Sequence, residues 1–201
     1  MSTVRQYDLW NDTMKKQTAV FLDRDGTINE EVGYLDSLGK LNIFPETYEA
    51  VRLINKQGMK AVVITNQSGI ARGYFDEAFV EMVHARIQEL LREQKAFIDR
   101  FYYCPHHATA GTGIYRIVCQ CRKPEAGLLI RAAEELDIDL TSSYMVGDMP
   151  KDVEAARKVG AKGILVRTGY GKDHSTSPVQ PDYIAVNILD AVRWIMKDRG
   201  K

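Results

Sequence analysis

Two aspartates stand two positions apart in Asp23-Arg24-Asp25-Gly26-Thr27, directly after the apolar run Ala19-Val20-Phe21-Leu22. Carboxylates so spaced at the carboxyl end of a strand can both face one cleft of an open α/β sheet. The glycine beside them permits a tight turn and close approach of an anion to the backbone. Such a pair suits phosphoryl chemistry, with one carboxylate as acceptor, the other as acid and base, and a metal to hold phosphate against their shared charge. A calcium loop is the competing reading of Asp-x-Asp-Gly. It would place Phe21 at loop position one and Val32 at position twelve, where carboxylates are needed, and an apolar strand rather than a helix precedes the motif.

Three further segments offer partners. Thr65-Asn66-Gln67-Ser68 follows the apolar run Ala61–Ile64, and Gly147-Asp148 follows Tyr144–Val146, with Asp152 four residues beyond Asp148. Lys123, between Arg122 and Pro124, precedes a helical pattern that starts at Ala126. Singly each is weak, since threonine after a strand is commonly a turn residue and a lone lysine commonly a solvated charge. Together they supply what ester hydrolysis through a phospho-aspartate requires. Asp23 would attack phosphorus, and Asp25 would protonate the leaving alkoxide and later deprotonate water. Mg²⁺ would bridge Asp23, the Asp25 carbonyl and Asp148, while Lys123 and the Thr65 hydroxyl neutralise the phosphoryl oxygens. Asp152 would fix Lys123 or a metal-bound water.

Positioning these residues is the task of alternating β and α patterns. Strands are expected at Ala19–Leu22, Ala61–Ile64, Arg100–Tyr103, Tyr144–Val146, Gly163–Val166 and Tyr183–Val186. Helices are expected at Thr47–Lys56, Asp76–Gln94, Ala126–Leu136, Pro150–Val159 and Ile188–Lys197. The second helix is the clearest, with Asp76 as N-cap and Phe79, Val83, Ile87, Leu90 and Leu91 at helical spacing. This alternation predicts an α/β fold, a Rossmann-like parallel sheet with helices on both faces. At 201 residues the chain suits one well-cored domain, expected over residues 18–201 after an N-terminal extension at 1–17. Gly169 to Pro181 reads as a polar loop.

Lysine and arginine number 27, as do aspartate and glutamate. That balance argues against a nucleic-acid partner while leaving a small anionic substrate possible through local charge. No run approaches the roughly 18 apolar residues of a membrane span, and residues 1–17 lack the apolar core of a signal peptide. A cytoplasmic monomer is expected.

All three cysteines lie in Cys104-Pro105-His106-His107 and Cys119-Gln120-Cys121. Read as ligands, Cys104, His106, Cys119 and Cys121 give a Cys₃His set that suits tetrahedral, structural Zn²⁺, with His107 the alternative nitrogen ligand. An odd count in one loop argues against a disulfide framework. Cys121 stands two residues from Lys123, so zinc is expected to restrict where that ammonium reaches.

Asp23-Arg24-Asp25-Gly26-Thr27, Thr65, Lys123 and Gly147-Asp148 resemble the four motifs of the haloacid dehalogenase superfamily of phosphatases, over roughly residues 19 to 168. About 37 residues separate Thr27 from Thr65, which leaves no room there for a large cap domain and implies an open site. The zinc loop on this scaffold resembles two groups, the D-glycero-D-manno-heptose 1,7-bisphosphate 7-phosphatases and the histidinol-phosphate phosphatases. Thr65 to Gly73, Gly33-Tyr34 and Tyr102 to His107 are similar to the heptose group, whereas histidinol phosphatases typically carry aspartate where Ser68 stands. That resemblance implies a sugar-phosphate substrate from nucleotide-heptose and lipopolysaccharide biosynthesis. It also implies that Glu31, Gly33, Tyr34, Asn66, Gln67, Ser68 and Arg122 contact the substrate, Arg122 facing its remaining phosphate. Two departures from the heptose pattern are Glu31-Val32 before Gly33 and Met149 directly after Asp148.

Overall fold

Strand β1, Ala19–Leu22, is apolar and buried at all four positions, as a strand covered on both faces must be. In the computed structural model, which describes residues 16–173 and 179–200, it lies at the centre of a six-stranded parallel sheet. The other strands are β2 (Lys60–Asn66), β3 (Arg100–Cys104), β4 (Tyr144–Gly147), β5 (Lys162–Val166) and β6 (Tyr183–Ala185), in the order β3-β2-β1-β4-β5-β6. The α-helices among the described residues are α1 (Pro45–Lys56), α2 (Glu77–Glu93), α3 (Gly127–Leu136), α4 (Pro150–Lys158) and α5 (Ile188–Arg199).

Alternation along the strands divides the core in two. Val20, Leu22, Val63 and Val146 pack with Ala50, Ile54, Val83, Ile87 and Val192 from α1, α2 and α5. Phe21, Val62, Ile64 and Met145 pack with Leu128, Leu129, Ala155 and Ala156 from α3 and α4. Each large aliphatic so buried contributes roughly 1.5–3 kcal/mol. The expected elements are all present, with bounds that shift by a few residues. Pro45 opens α1, Asp76 caps α2 by accepting from the Phe79 N–H at 2.8 Å, and Asn187 caps α5 through the Asp190 N–H.

One shift matters for the site. β2 runs on through Thr65 and Asn66, which still pair with Tyr103 and Cys104, so these two residues belong to the strand and not to a following loop. Between β1 and β2 the chain makes only a short 3₁₀ turn, Leu38–Lys40, and α1, without an inserted cap. Of the expected extension at 1–17, all but residues 16 and 17 lies outside the described residues. Gln17 already hydrogen-bonds with Asp137 and Asp139. The expected loop from Gly169 to Pro181 begins as a 3₁₀ turn at Gly169–Asp173, and its residues 174–178 lie outside the described residues. Among the described residues no helix is long and apolar enough to cross a membrane.

Candidate active site

The strand order reverses direction between β1 and β4, and the crevice beyond their carboxyl ends is where open α/β sheets bind ligands. Asp23 and Asp148 stand at those two ends. The Asp23 N–H continues the ladder by donating to the Val146 carbonyl at 2.9 Å. Close approach is enforced by glycine. Gly26 has φ +78°, and a Cβ there would run into the Asp148 carboxylate; a Cβ on Gly147 would occupy the place of the Asp152 carboxyl. Carboxylate oxygens of Asp23, Asp148 and Asp152 all lie within 4.8 Å of one another.

Lys123 enters this cluster from below. Its Nζ lies 2.9 Å from Asp23 Oδ1 and 2.7 Å from Asp152 Oδ1, and donates to the Ile64 carbonyl at 2.7 Å; its side chain is 1% exposed. Burial would strip the charge from this ammonium, but Asp152 and Asp23 hold its pKa above the ordinary value. Burial raises the Asp23 carboxyl, with the Asp152 charge adding and Lys123 opposing. Asp148 is pushed up to about 8 by burial and then by the charges of Asp23 and Asp152. This crowd of carboxylates is the donor set a hard divalent cation fits, and such an ion would relieve the repulsion. Asp152 also accepts from the Met149 N–H at 3.0 Å, at the start of α4. Asp23 Oδ1 takes the Arg24 N–H at 2.8 Å as well as Lys123, leaving Oδ2 without a partner among the described residues.

Asp25 faces a second network. Arg24, 1% exposed, clamps it in bidentate fashion at 3.1 and 2.7 Å, and Asn29 and Gln67 donate to it at 3.0 and 2.9 Å. Burial alone would raise the Asp25 carboxyl, but the Arg24 charge and these hydrogen bonds carry it below the usual range. Gln67 spends its amide wholly inside the protein. It donates to Asp25 Oδ2 and Thr65 Oγ1, and its oxygen accepts from Arg24. Asn66 does likewise, donating to the Lys123 carbonyl and accepting the Lys123 N–H, each at 3.0 Å. Both were expected to contact substrate, yet their amides are turned inward, one orienting Asp25 and Thr65, the other gripping the Lys123 backbone.

A cavity of about 150 Å³ opens onto Asp23, Asp25 and Asp148. The expected Glu31, Gly33, Tyr34, Thr65, Asn66, Gln67, Ser68 and Arg122 all line it, while Lys123 lies beneath its floor. Glu31 turns onto the Gly33 N–H at 2.5 Å; its carboxyl is raised by burial and by the charge of Asp25. A larger groove, about 790 Å³, follows the free edge of β3 and contains none of these residues, so size alone misdirects. Sequence reasoning missed the turn after β5. Thr168 Oγ1 donates to the Gly26 carbonyl at 2.6 Å and the Tyr170 N–H to Asp148 at 2.8 Å, closing the cavity's far wall. The run Thr168-Gly169-Tyr170-Gly171 at a strand end was the available signal.

The cysteine loop forms a second cluster. Cys121 Sγ lies 3.1 Å from Cys104 Sγ, 3.3 Å from Cys119 Sγ and 3.3 Å from His106 Nδ1. His107 points elsewhere, its Nδ1 accepting the Thr109 and Ala110 N–H groups, so His106 is the nitrogen in the cluster. Hydrogen bonding with Cys104 and Cys119 pulls the Cys121 thiol down to about 5 against burial. Arg122 is tied to this loop through its donation to the His106 carbonyl at 3.1 Å. Beside any hold the loop exerts on Lys123, Asn66 and three acceptors fix that residue directly.

Residues 120–191 match the HAD-hydrolase-like family model. The chain is 42% identical over 188 residues to the D-glycero-D-manno-heptose-1,7-bisphosphate 7-phosphatase of Thermosynechococcus vestitus, covering 88% of this chain and 94% of that one. It is 41% identical over 184 residues to the D-glycero-beta-D-manno-heptose-1,7-bisphosphate 7-phosphatase of Escherichia coli K12, covering 90% of each. Among solved structures, the D,D-heptose 1,7-bisphosphate phosphatase from B. bronchiseptica, complexed with magnesium and phosphate, superposes with a TM-score of 0.81 at 28% identity, covering 90% and 99% of the two chains.

Proposed function

Because the chain belongs to the D-glycero-D-manno-heptose-1,7-bisphosphate 7-phosphatase family of haloacid dehalogenase-like hydrolases, we propose that it cleaves the 7-phosphate of that sugar bisphosphate through a phospho-aspartate on Asp23. It is a phosphoric monoester hydrolase. The observation that carries the chemistry is the placement of Asp23 against buried Lys123, with Asp148 at the next strand end. Oδ1 of Asp23 is fixed and Oδ2 is available to attack phosphorus. The Lys123 ammonium and the Thr65 hydroxyl would face the charge that develops on the phosphoryl oxygens.

Asp25, held ionised by Arg24, is in the form that accepts a proton from the water attacking the acyl-phosphate. Protonating the sugar alkoxide in the first half requires that clamp to loosen. Asp23, Asp148 and the Asp25 carbonyl would hold Mg²⁺, which, when bound, draws nucleophile and phosphate together and screens their repulsion. The Cys104, His106, Cys119 and Cys121 cluster would hold Zn²⁺ in a closed structural site, as its donor chemistry and spacing support. Arg122 would take the phosphate that stays on the sugar, since a guanidinium suits bidentate phosphate binding.

The test is kcat/KM for D-glycero-D-manno-heptose 1,7-bisphosphate against histidinol phosphate at fixed Mg²⁺. The bisphosphate is expected to win by roughly ten- to a hundred-fold, the worth of one charge-assisted contact. Preference for histidinol phosphate would overturn the substrate assignment.

A further inference from the structure

Among the described residues, four carboxylates line the cavity, Asp23, Asp25, Glu31 and Asp148, but only two cations, Arg122 and Lys151. The remaining cations nearby are already matched, Lys123 between Asp23 and Asp152 and Arg24 on Asp25. Lys123 faces the phosphoryl group but shares its single charge between two carboxylates, and Arg24 is spent on Asp25, so a phosphate dianion meets little cationic charge from these two. Lys151 makes no ion pair or side-chain hydrogen bond among the described residues, and it is partly exposed on the cavity wall. Helix stability does not explain its place. It follows Pro150 in the first turn of α4, where a cation opposes the helix dipole.

We propose that Lys151 is a substrate-binding residue, its ammonium taking a non-bridging oxygen of the phosphoryl group presented to Asp23. Lys151 stands three residues beyond Asp148, in the helix turn whose Asp152 joins Asp23 and Asp148 in one cluster, which puts it at the phosphoryl end of the cavity; Arg122, tied to the His106 carbonyl, serves the rest of the substrate. The division of labour between the two cations follows. Loss of Lys151 weakens every phosphate ester alike, whereas loss of Arg122 weakens only one bearing a second phosphate.

This inference rests on the phosphatase reading, and its test separates the two. Lys151→Met, Lys151→Arg and the double variant Lys151→Met/Met149→Lys would be compared with wild type, using p-nitrophenyl phosphate as substrate and inorganic phosphate as inhibitor. Met149 also lines the cavity, so the double variant returns the charge from two positions away. Lys151→Met should raise KM and the inhibition constant of phosphate by roughly ten- to a hundred-fold, with a smaller change in kcat. Its Tm should change little, since the helix-end repulsion that is lost and the attraction to nearby carboxylates that is lost oppose each other. Lys151→Arg should retain most of the affinity, and the double variant should regain part of it. Unchanged KM and phosphate affinity in Lys151→Met would overturn the proposal, as would a kcat loss that tracks a fall in Tm. A wild type that hydrolyses no phosphate ester would instead sink the phosphatase reading, and phosphate binding read by calorimetry on the same variants would still decide the role of Lys151.

Discussion

Asp23, Asp148 and Asp152 reach one another from the ends of two strands and the first turn of a helix, and all three are buried. Cys104, His106, Cys119 and Cys121 come from a single stretch of chain, and three of the four are only partly buried. The carboxylate cluster is held by the sheet: strand register sets the Asp23 to Val146 contact, and Asn66 at the end of β2 fixes the Lys123 main chain. In the thiol cluster only Cys104 belongs to a strand; Cys119 and Cys121 come from a loop packed against the core beside it. One site is therefore assembled across the sheet, the other largely within one loop. Arg122 is where they meet, adjacent in sequence to both Cys121 and Lys123.

The largest expected effect tests the fold-held side. Asp23→Asn should lower kcat by at least about a thousand-fold, because only the carboxylate can form the acyl-phosphate. Its Tm should change little, since Lys123 keeps Asp152 as partner. Residual turnover close to wild type in a purified preparation would remove Asp23 from the mechanism.

A smaller effect tests the loop-held side. Elemental analysis should find near one zinc per chain, lost in Cys119→Ser. If the loop acts through Arg122, that variant loses roughly ten- to a hundred-fold on the bisphosphate and far less on a simple monophosphate. Equal losses on both substrates would mean that the loop acts on Lys123 as well, and that the two sites are not held separately.

The smallest effect is in the pH dependence of stability. Asp148 sits near 8 in the folded chain against an ordinary 3.8, so the folded, metal-free protein keeps a proton that the unfolded chain releases. Stability of the metal-free form should therefore fall as pH rises from about 4 to about 8. Mg²⁺ needs the ionised carboxylates, so its stabilisation should grow over the same window. Thermal melts with EDTA and with Mg²⁺ at about pH 6 and about pH 8 should differ by a few degrees in that sense. A metal-free Tm that rises with pH would show that the carboxylates are not crowded as described.

Local pattern carried much of this into view. The apolar alternation gave every strand and helix, because parallel strands covered on both faces read as short apolar runs between amphipathic stretches. The two-residue spacing of Asp23 and Asp25 and the clustered cysteines exposed two candidate sites, since both signals fit within a few residues. Boundaries were less legible. Thr65 and Asn66 look like turn residues, but pairing with β3 keeps them in the strand, and pairing is a property of two segments.

From the sequence alone follow the residue types, the order of the elements and which end of each strand carries chemistry, all fixed by periodicity and short-range spacing. Tertiary structure decided which partner each polar group chose. It gave Lys123 to Asp23, Asp152 and Ile64, turned Gln67 and Asn66 inward, selected His106 over His107, brought the turn at Thr168 to Tyr170 against Asp148, and set Lys151 in the cavity wall without an ion pair among the described residues. A buried charge or amide is satisfied by whatever the packed chain places within about 3 Å, and that neighbour is seldom near in sequence.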